Sequence, residues 1–483
     1  MNFVRDVVAR RPPSERALVE LAADGSRREW SFGAVVGDSE RLAATLLAVG
    51  VGRGDVVMTL IGNRPEWVFS LLACWRIGAV ALPCTEQLRA KDLRARIEAV
   101  APRLVIADER NRGELEPALA GLEQPRVLAF PSDPLFGSGP APFTELEPTD
   151  PALITFTSGT SGAPKPVFHG QRYLTGQRLQ AEHWLAPETG QLVWCTAASG
   201  WSKSARNAFI APWLRGAGAL LHDARFDPEE RLALIDAERV DVLCMAPTEY
   251  RVIAKRTELR ALPSLASCVA AGEALNPEVL GVWREATGLD VRDGYGQTET
   301  GQLTANPPGR PAVAGSMGTA LPGVRLWIED GELVVDPATV PTFFLGYGAP
   351  RTELPAVYRT GDRVREEEGG YLFFEGRADD VIISSGYRIG PFEVESALVS
   401  HPAVAEAAVV AAPDEERGSV VRAVVVLRNG EEPDPALAAD LQQHVKAATA
   451  PYKYPRIVEF AESLPKTESG KVRRAELRAG GPL

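Results

Sequence analysis

Amphipathic helical patterns alternate with short apolar runs along most of this chain. The helical patterns Ser39–Val49 and Pro65–Ile77, for example, alternate with the apolar runs Val56–Ile61 and Ala79–Leu82. This alternation is typical of layered α/β domains in which helices cover a largely parallel sheet. Ligand sites in such sheets form beyond the carboxyl ends of the strands, so the segments after the apolar runs are candidates for function. Further runs of this kind are Leu153–Thr157, Val240–Met245 and Cys268–Ala271.

The chain changes in pattern after Gly376-Arg377. The later pattern predicts a strand, a helix that begins at Pro391, two more strands and a second helix; the other predicted elements are Val381–Ser384, Val404–Ala411, Val420–Leu427 and Pro435–Thr449. Proline fits the first turn of a helix because it lacks only a hydrogen bond that is unmade there anyway. Since 483 residues exceed what one core usually supports, we predict a large α/β domain over 1–378 and a small α+β domain over 379–483, frayed beyond Glu476.

The charge and the cysteines restrict the partners and the compartment. A net charge of −12 argues against a general affinity for nucleic acid, so small molecules are the expected partners. The five cysteines lack the paired spacings of metal or redox motifs and indicate free thiols; they are Cys74, Cys84, Cys195, Cys244 and Cys268. Without a secretory signal or a membrane-spanning run, a cytoplasmic protein without stable membrane insertion is expected. A homodimer is left open.

A loop rich in hydroxyls and glycine follows the apolar run that ends at Thr157. Its residues are Thr157, Ser158, Gly159, Thr160, Ser161, Gly162, Ala163, Pro164 and Lys165. Backbone amides, hydroxyls and a lysine in one loop form a cradle for phosphate. The spacing differs from that of the kinase-type phosphate loop, and a flexible surface loop is the alternative for this segment alone.

Four later segments carry polar groups around glycine turns. The first places a hydroxyl beside a carboxylate, a pair suited to phosphate and Mg²⁺, and comprises Asp293, Gly294, Tyr295, Gly296, Gln297, Thr298 and Glu299. The others are Tyr358–Asp362, Gly376–Asp380 and Pro465–Lys471. Their carboxylates suit ribose hydroxyls, and their arginine suits phosphate. Each segment alone is equally typical of a solvated turn.

Taken together and in this order, the five segments resemble the signatures of the adenylate-forming superfamily. This superfamily comprises acyl-CoA synthetases, luciferases and peptide-synthetase adenylation domains, and the resemblance covers nearly the whole chain. The segments Gly376–Glu395 and Ala450–Arg456 are most similar to medium-chain acyl-CoA synthetases. The resemblance implies an enzyme that uses ATP and Mg²⁺ to convert a carboxylic acid into acyl-AMP and pyrophosphate, and then transfers the acyl group to coenzyme A.

The resemblance also implies roles for individual residues. The loop Thr157–Lys165 would hold the ATP phosphates, Thr298 and Glu299 would handle phosphate and Mg²⁺, Asp362 would bind ribose, and Arg377 would assist there. Lys471 would bridge the carboxylate and the α-phosphate during adenylation. The resemblance further implies adenine contacts at Gly272, Glu273, Ala274 and Asp293–Gln297. It implies a hinge at Asp379 and a loop for the second reaction at Ser385, Gly386, Tyr387 and Arg388. A contact with the CoA phosphates is implied at Arg417, with Lys453 as a weaker candidate.

Two positions bear on the acid, and one on the phosphate loop. Gly296 matches a tryptophan that shortens the acyl pocket of acetyl-specific relatives, so a deeper pocket for a medium-chain, branched or aryl acid is expected. Trp201 fits either the pocket wall or the core. Pro166 departs from the common pattern and removes a backbone donor at the loop exit.

Two other functions are compatible with the same signatures. One is an acyl-AMP ligase that loads a carrier protein, and amino-acid activation within that class is disfavoured because Ala197–Lys203 contains no aspartate. The other is a nucleotide-binding regulator without catalysis, which is disfavoured because Lys471 and Glu299 are both present.

Overall fold

The computed structural model describes the chain except for residues 158–163, 273–276, 349, 351–352, 354, 378–379, 385–386, 415–416, 429, 467–470 and 480–483. Two large sheets organise the N-terminal part. The nine-stranded sheet runs, in spatial order, through Thr319–Ala320, Gly301–Ala305, Val291–Gln297, Ser267–Ala271, Val242–Met245, Leu192–Cys195, Gly218–His222, Arg16–Leu21 and Arg27–Ser31. Its interior neighbours pair in parallel, and the outer strands at both edges are antiparallel.

The seven-stranded sheet faces the first across a shared helical layer. Its strands, in spatial order, are Gly346–Tyr347, Lys165–Gly170, Pro151–Thr157, Val80–Cys84, Val56–Leu60, Leu104–Asp108 and Arg126–Phe130. The buried helix Pro65–Ile77 belongs to the layer between the sheets, because one core cluster joins Trp67 and Trp75 to Leu153 of this sheet and Val193 of the other. The main core therefore lies between the two sheets.

Proline begins several of the α-helices, including the helix predicted to begin at Pro391. Six of the described helices have proline as their first residue: Pro65–Ile77, Pro228–Ala237, Pro247–Arg256, Pro277–Thr287, Pro391–Ser400 and Pro435–Ala448. The other α-helices are Phe3–Asp6, Phe32–Ala48, Ala90–Val100, Arg112–Leu119, Gln171–Gly176, Arg178–Gln180, Ala211–Arg215 and Arg474–Arg478. Shorter 3₁₀ turns cover Val8–Arg10, Glu109–Asn111, Pro337–Thr339, Glu368–Gly370 and Pro451–Lys453, and π-helical turns cover Ala181–Leu185 and Arg206–Ile210. No helix among the described residues has the length and apolar character needed to cross a membrane.

Smaller sheets form the rest of the molecule. A four-stranded sheet contains Leu326–Glu329, Glu332–Val335, Tyr358–Glu367 and Tyr371–Arg377. The C-terminal part has the hairpin Ile382–Ser384 with Tyr387–Ile389, and a three-stranded sheet of Val404–Asp414, Gly418–Leu427 and Ile457–Phe460. The rings of Phe374 and Phe392, 6.5 Å apart, join the four-stranded sheet to the C-terminal helix Pro391–Ser400.

The expected α/β fold, with a large N-terminal and a small C-terminal domain, is confirmed. All five cysteines are buried and free, as expected. The first predicted helix begins earlier than Ser39, at Phe32, because the Ser31 side chain accepts a hydrogen bond from the backbone of Ala34 and caps the helix. The fraying predicted beyond Glu476 is wrong for Leu477 and Arg478. Both residues belong to the helix Arg474–Arg478, and Leu477 is buried in a small hydrophobic cluster.

Candidate functional site

The carboxylate of Asp362 lies at the centre of a hydrogen-bond network between two sheets. Its Oδ2 accepts hydrogen bonds from the Tyr295 hydroxyl at 2.5 Å and from Gln297 Nε2 at 2.7 Å. Its Oδ1 accepts one from Arg377 Nη1 at 3.0 Å. Tyr358 donates to Gln297 Oε1 at 2.9 Å. The nine-stranded and four-stranded sheets thus bring together five side chains from three separate sequence motifs.

The two tyrosines of this network are held in their neutral form. Burial, together with the negative charge of Asp362, raises the pKa of Tyr295 well above its ordinary value. Burial followed by the charge of Glu299 raises the pKa of Tyr358. Both hydroxyls therefore remain donors at physiological pH, and they fix the orientations of the Asp362 carboxylate and the Gln297 amide.

The two ends of the phosphate loop are anchored by paired strands. Thr157 ends one strand and lies opposite Lys165, which begins the next. The exposed Lys165 has its Nζ 5.7 Å from the centre of the Tyr347 ring. Ser158, Gly159, Thr160, Ser161, Gly162 and Ala163 lie outside the described residues, and Pro164 is exposed at the loop exit. The described ends place a lysine and a hydroxyl at the carboxyl end of the strand Pro151–Thr157.

Glu299 shares the partner Tyr347 with Lys165, the residue at the end of this loop. It is 9% exposed, and its Oε1 accepts a hydrogen bond from Tyr347 at 2.7 Å. Thr298, half-buried, precedes it in the turn after the strand Val291–Gln297. The described residues contain no cluster of three or more metal-ligating side chains. A single carboxylate fits Mg²⁺ that takes its other ligands from water and ATP phosphates.

Glycine is required on the strand Val291–Gln297 for steric reasons. A Cβ at Gly294 would lie 2.2 Å from Gln302 Nε2, and one at Gly296 would lie 1.9 Å from the Gly301 carbonyl oxygen. The space that an indole would enter from Gly296 is therefore closed by backbone. A side chain at this position would require the neighbouring antiparallel strand to shift, and the deeper acyl pocket expected from Gly296 stays a prediction. Asp293 is buried, and its Oδ1 accepts from the backbone of Gly294 at 2.8 Å.

The segment around Trp201 is tightly attached to both sheets. At Gly200, whose φ is +89°, a Cβ would lie 2.3 Å from the backbone nitrogen of Thr85. The half-buried Trp201 has Lys203 Nζ 5.9 Å from its ring centre, and Lys203 donates to the Ala271 carbonyl at 3.3 Å. Lys203 thus reaches Gly272, whose φ of +108° favours glycine. Glu273 and Ala274 lie outside the described residues.

The C-terminal candidates are only partly described. Lys471 is exposed at the end of its loop, next to Val472, which pairs with Lys466. Tyr387 is exposed and stacks on Tyr452 with ring centres 4.3 Å apart. Ser385, Gly386 and the hinge candidate Asp379 lie outside the described residues, and the side chain of Arg388 is likewise not described.

Arg417 and Lys453 both have carboxylate partners. The Arg417 backbone donates to Asp414 Oδ1 at 2.9 Å, and its side chain lies 3.7 Å from the same oxygen. Lys453 Nζ lies 2.5 Å from Glu393 Oε2. These contacts give both residues local structural roles, and a role in CoA binding stays a prediction.

Sequence reasoning missed Tyr347 and Lys203. Tyr347 is the donor to Glu299, but it occurs between glycines outside every recognised segment. Lys203 was noted only as the end of the segment after Trp201. Lys203 could have been found from its position in the segment that follows the buried strand Leu192–Cys195, whereas Tyr347, in the short strand Gly346–Tyr347, carries no such signal.

Comparison with known proteins identifies the relatives of this arrangement. The family model described as "AMP-binding enzyme" matches residues 5–341, and "AMP-binding enzyme C-terminal domain" matches 393–471. The chain is 40% identical to the uncharacterized acyl-CoA ligase YtcI of Bacillus subtilis (strain 168), over 96% of this chain and 92% of that one. It is 39% identical to the human mitochondrial acyl-coenzyme A synthetase ACSM4, over 96% and 87%. A benzoate CoA ligase structure from Burkholderia xenovorans LB400 superposes with a TM-score of 0.87 at 26% identity, covering 99% and 100%.

Proposed function

Because this chain belongs to the AMP-binding enzyme family, we propose that it activates a medium-chain, branched or aryl carboxylic acid. It is an acyl-CoA synthetase, an AMP-forming acid–thiol ligase that uses ATP, Mg²⁺ and coenzyme A. The Asp362 network carries the proposal for the nucleotide. A buried carboxylate already held by three donors keeps lone pairs in a fixed orientation for ribose hydroxyls.

The residues near the phosphate-loop ends would act on the triphosphate. Lys165 supplies a cation for the phosphates, and Glu299 supplies the protein ligand to Mg²⁺. The metal neutralises phosphate charge when bound. In the first reaction the acid's carboxylate oxygen attacks the α-phosphorus and pyrophosphate leaves. Two anions must meet in this step, so a positioned cation lowers its barrier. We assign that role to Lys471.

The second reaction would use the same site with a different loop. The coenzyme A thiol loses its proton, its sulfur attacks the acyl carbonyl, and AMP leaves. We assign the admission of the thiol to Ser385, Gly386, Tyr387 and Arg388, and the change of domain orientation to a hinge at Asp379. The exposure of Tyr387 supports an accessible surface on that hairpin.

Two alternatives concern the acceptor of the acyl group and the presence of catalytic activity. The named relatives are acyl-CoA synthetases or ligases, which favours coenzyme A over a carrier protein. The presence of both Lys471 and Glu299 favours an active enzyme over a regulator. The cytoplasmic location and a homodimer stay predictions from the sequence, and the human ACSM4 relative is mitochondrial.

A pyrophosphate-release screen tests the proposal. The full chain with Mg-ATP is given a panel of acetate, medium-chain fatty, branched and aryl acids, each with and without coenzyme A. We expect pyrophosphate with medium-chain or aryl acids, and acyl-CoA and AMP only when coenzyme A is added. Release of ADP and phosphate instead would contradict the assigned reaction, and better turnover of acetate would contradict the acid class.

A further inference from the structure

A group of buried polar side chains lies between the two large sheets and has no place in the reaction described above. We call it the inner polar group; its members are His169, Tyr173, Gln177, Gln180, Arg206 and Asn207. All are buried, and Arg206, at 5% exposed, is the most accessible. They come from one strand, the helical segment that follows it, and the turn Arg206–Ile210.

Many atoms of the inner polar group lack hydrogen-bond partners. Both ring nitrogens of His169, both amide atoms of Gln177, and Nε and Nη1 of Arg206 are buried without a well-formed hydrogen bond, and the Tyr173 hydroxyl is the polar group that interacts with Gln177 and Arg206. Gln180 Nε2 donates to Asn207 Oδ1 at 2.8 Å, but the other amide atoms of this pair are unpartnered. Buried polar atoms in folded proteins are nearly always hydrogen-bonded. Their concentration in one place indicates that a polar molecule completes the site.

The charge of this group is positive and uncompensated. In the part of the chain that the structure describes, no carboxylate contacts Arg206. Arg172 lies nearby with an unpartnered Nε. Burial, and then these two arginines, lowers the pKa of His169 to about 3, so its ring is neutral and can donate one hydrogen bond. A buried cation without a counterion is unfavourable, and an anion in this space would relieve that cost.

The inner polar group adjoins two segments of the candidate site, the one around Trp201 and the one around Glu299. On one side, Trp201 precedes Arg206 by little more than one helical turn, and Ser204 donates to the Trp201 carbonyl at 2.7 Å. On the other side, a Cβ at Gly176, next to Gln177, would lie 3.1 Å from Thr342. Thr342 in turn donates to the backbone of Thr300, beside Glu299. These contacts place the inner polar group next to the candidate site on two sides.

We propose that the inner polar group binds a second carboxylate, so that the preferred substrate is a short- or medium-chain dicarboxylic acid. This inference rests on the proposed function and narrows its acid. The Arg206 guanidinium donates two charge-assisted hydrogen bonds to the distal carboxylate, and Asn207 Nδ2 and His169 complete them. A methyl-ended acid would leave these donors unpaired, and such a mismatch discriminates strongly between substrates. The distal carboxylate takes no part in the reaction.

The test compares matched acids on the full-length enzyme. Values of kcat/KM for pyrophosphate release are measured for dicarboxylic acids, the monocarboxylic acids of equal length, and the corresponding terminal hydroxy acids. We expect the dicarboxylic acid to be preferred over its monocarboxylic counterpart by at least about tenfold. Arg206→Leu should lower this preference by about tenfold or more, whereas Arg206→Lys should retain part of it.

The measured quantity is a ratio within each variant, so a loss of folded protein does not imitate a loss of specificity. Arg178→Leu, an exposed arginine on the neighbouring helical segment, is the matched control and should leave the ratio unchanged. If Arg206→Leu yields no folded protein, Asn207→Leu is measured in its place and should lower the same ratio.

Two results would overturn the inference. The first is that the wild type prefers monocarboxylic or hydroxy acids. The second is that the ratio of kcat/KM values for dicarboxylic and monocarboxylic acids is the same in wild type and in the Arg206→Leu or Asn207→Leu variant. In either case the unpartnered atoms would be bound by water alone. Failure of the proposed function looks different, because then no acid of any class releases pyrophosphate.

Discussion

Asp362 depends on donors that lie far from it in sequence. Tyr295 and Gln297 precede it by more than sixty residues, and Arg377 comes from the neighbouring strand of its own sheet. Because every contact that the described residues make to its carboxylate is a donor, an amide at this position would place N–H groups against N–H and O–H groups. The hydrogen-bond network therefore requires the negative charge of Asp362 as well as the size of its side chain.

We predict that Asp362→Asn raises the KM for ATP by about 10- to 100-fold, since hydrogen bonds to a charged group contribute about 1.5–3 kcal/mol. The measurement is pyrophosphate release at varied ATP, with a thermal melt of each variant. Glu366→Gln, on the exposed face of the same strand, is the control. An unchanged KM in a folded Asp362→Asn variant would rule out the ribose assignment.

His169 makes the stability of the folded protein depend on pH. Its pKa is lowered from 6.5 to about 3 by burial and by Arg206 and Arg172, with Tyr173 stacked 4.1 Å away. The unfolded chain binds a proton below 6.5, but the folded chain does not until about pH 3. The histidine therefore lowers stability progressively as the pH falls through this range.

Between about pH 7 and pH 5 this effect should reach about 2 kcal/mol. We predict that the thermal midpoint falls more over this interval in wild type than in His169→Phe. His183→Phe, which removes an exposed histidine, should behave like wild type. Parallel pH profiles for wild type and His169→Phe would show that the ring is protonated in the folded state.

At the scale of elements, the terminal helix Arg474–Arg478 is held to the start of the small domain by an ion cluster. Arg474 Nη2 donates to both oxygens of Glu395 at 2.8 Å. Arg478 Nη1 donates to Asp380 Oδ1 at 2.6 Å, and Arg474 lies 3.8 Å from the other Asp380 oxygen. The loop that ends at Lys471 therefore adjoins a helix fixed beside the proposed hinge.

Arg474→Met should remove the contacts that hold this helix and so displace the loop that ends at Lys471. We expect a loss of about 2 kcal/mol in stability and a slower adenylation reaction. Arg473→Met is the matched control, because the one ion pair of Arg473 within the described part of the chain is an exposed pair with Glu476, and its loss should change stability by less than about 0.5 kcal/mol. Thermal melts and pyrophosphate exchange measure both effects. Equal behaviour of the two variants would show that the cluster does not position the loop.

Elements with strong local signals were predictable from the sequence. The helix Pro65–Ile77 has the predicted bounds because proline starts it and a left-handed Gly78 ends it. The position of Gly296 against the Gly301 carbonyl was not predictable, because it depends on a bulge between two strands. Likewise, the unpartnered atoms of His169 and Arg206 depend on the packing of segments thirty-seven residues apart, about which residue order says nothing.

At the scale of the whole molecule, two half-reactions are assigned to one small domain. We predict that Lys471→Ala slows adenylation by about 100-fold or more but still converts supplied acyl-AMP to acyl-CoA. Asp379→Pro should do the reverse, because fixed φ restricts the hinge. Each half-reaction is measured separately for each variant. Equal loss of both steps in folded Lys471→Ala would exclude the alternating-domain mechanism.

The network around Asp362 also joins two separately built sheets. Tyr295 and Gln297 belong to the nine-stranded sheet, whereas Asp362, Tyr358 and Arg377 belong to the four-stranded one. A nucleotide bound there would act as a cross-link between them, and binding to the folded state alone raises its stability by mass action. Occupancy by ATP would then protect the enzyme from proteases, so cellular energy supply and enzyme lifetime would be linked through one carboxylate.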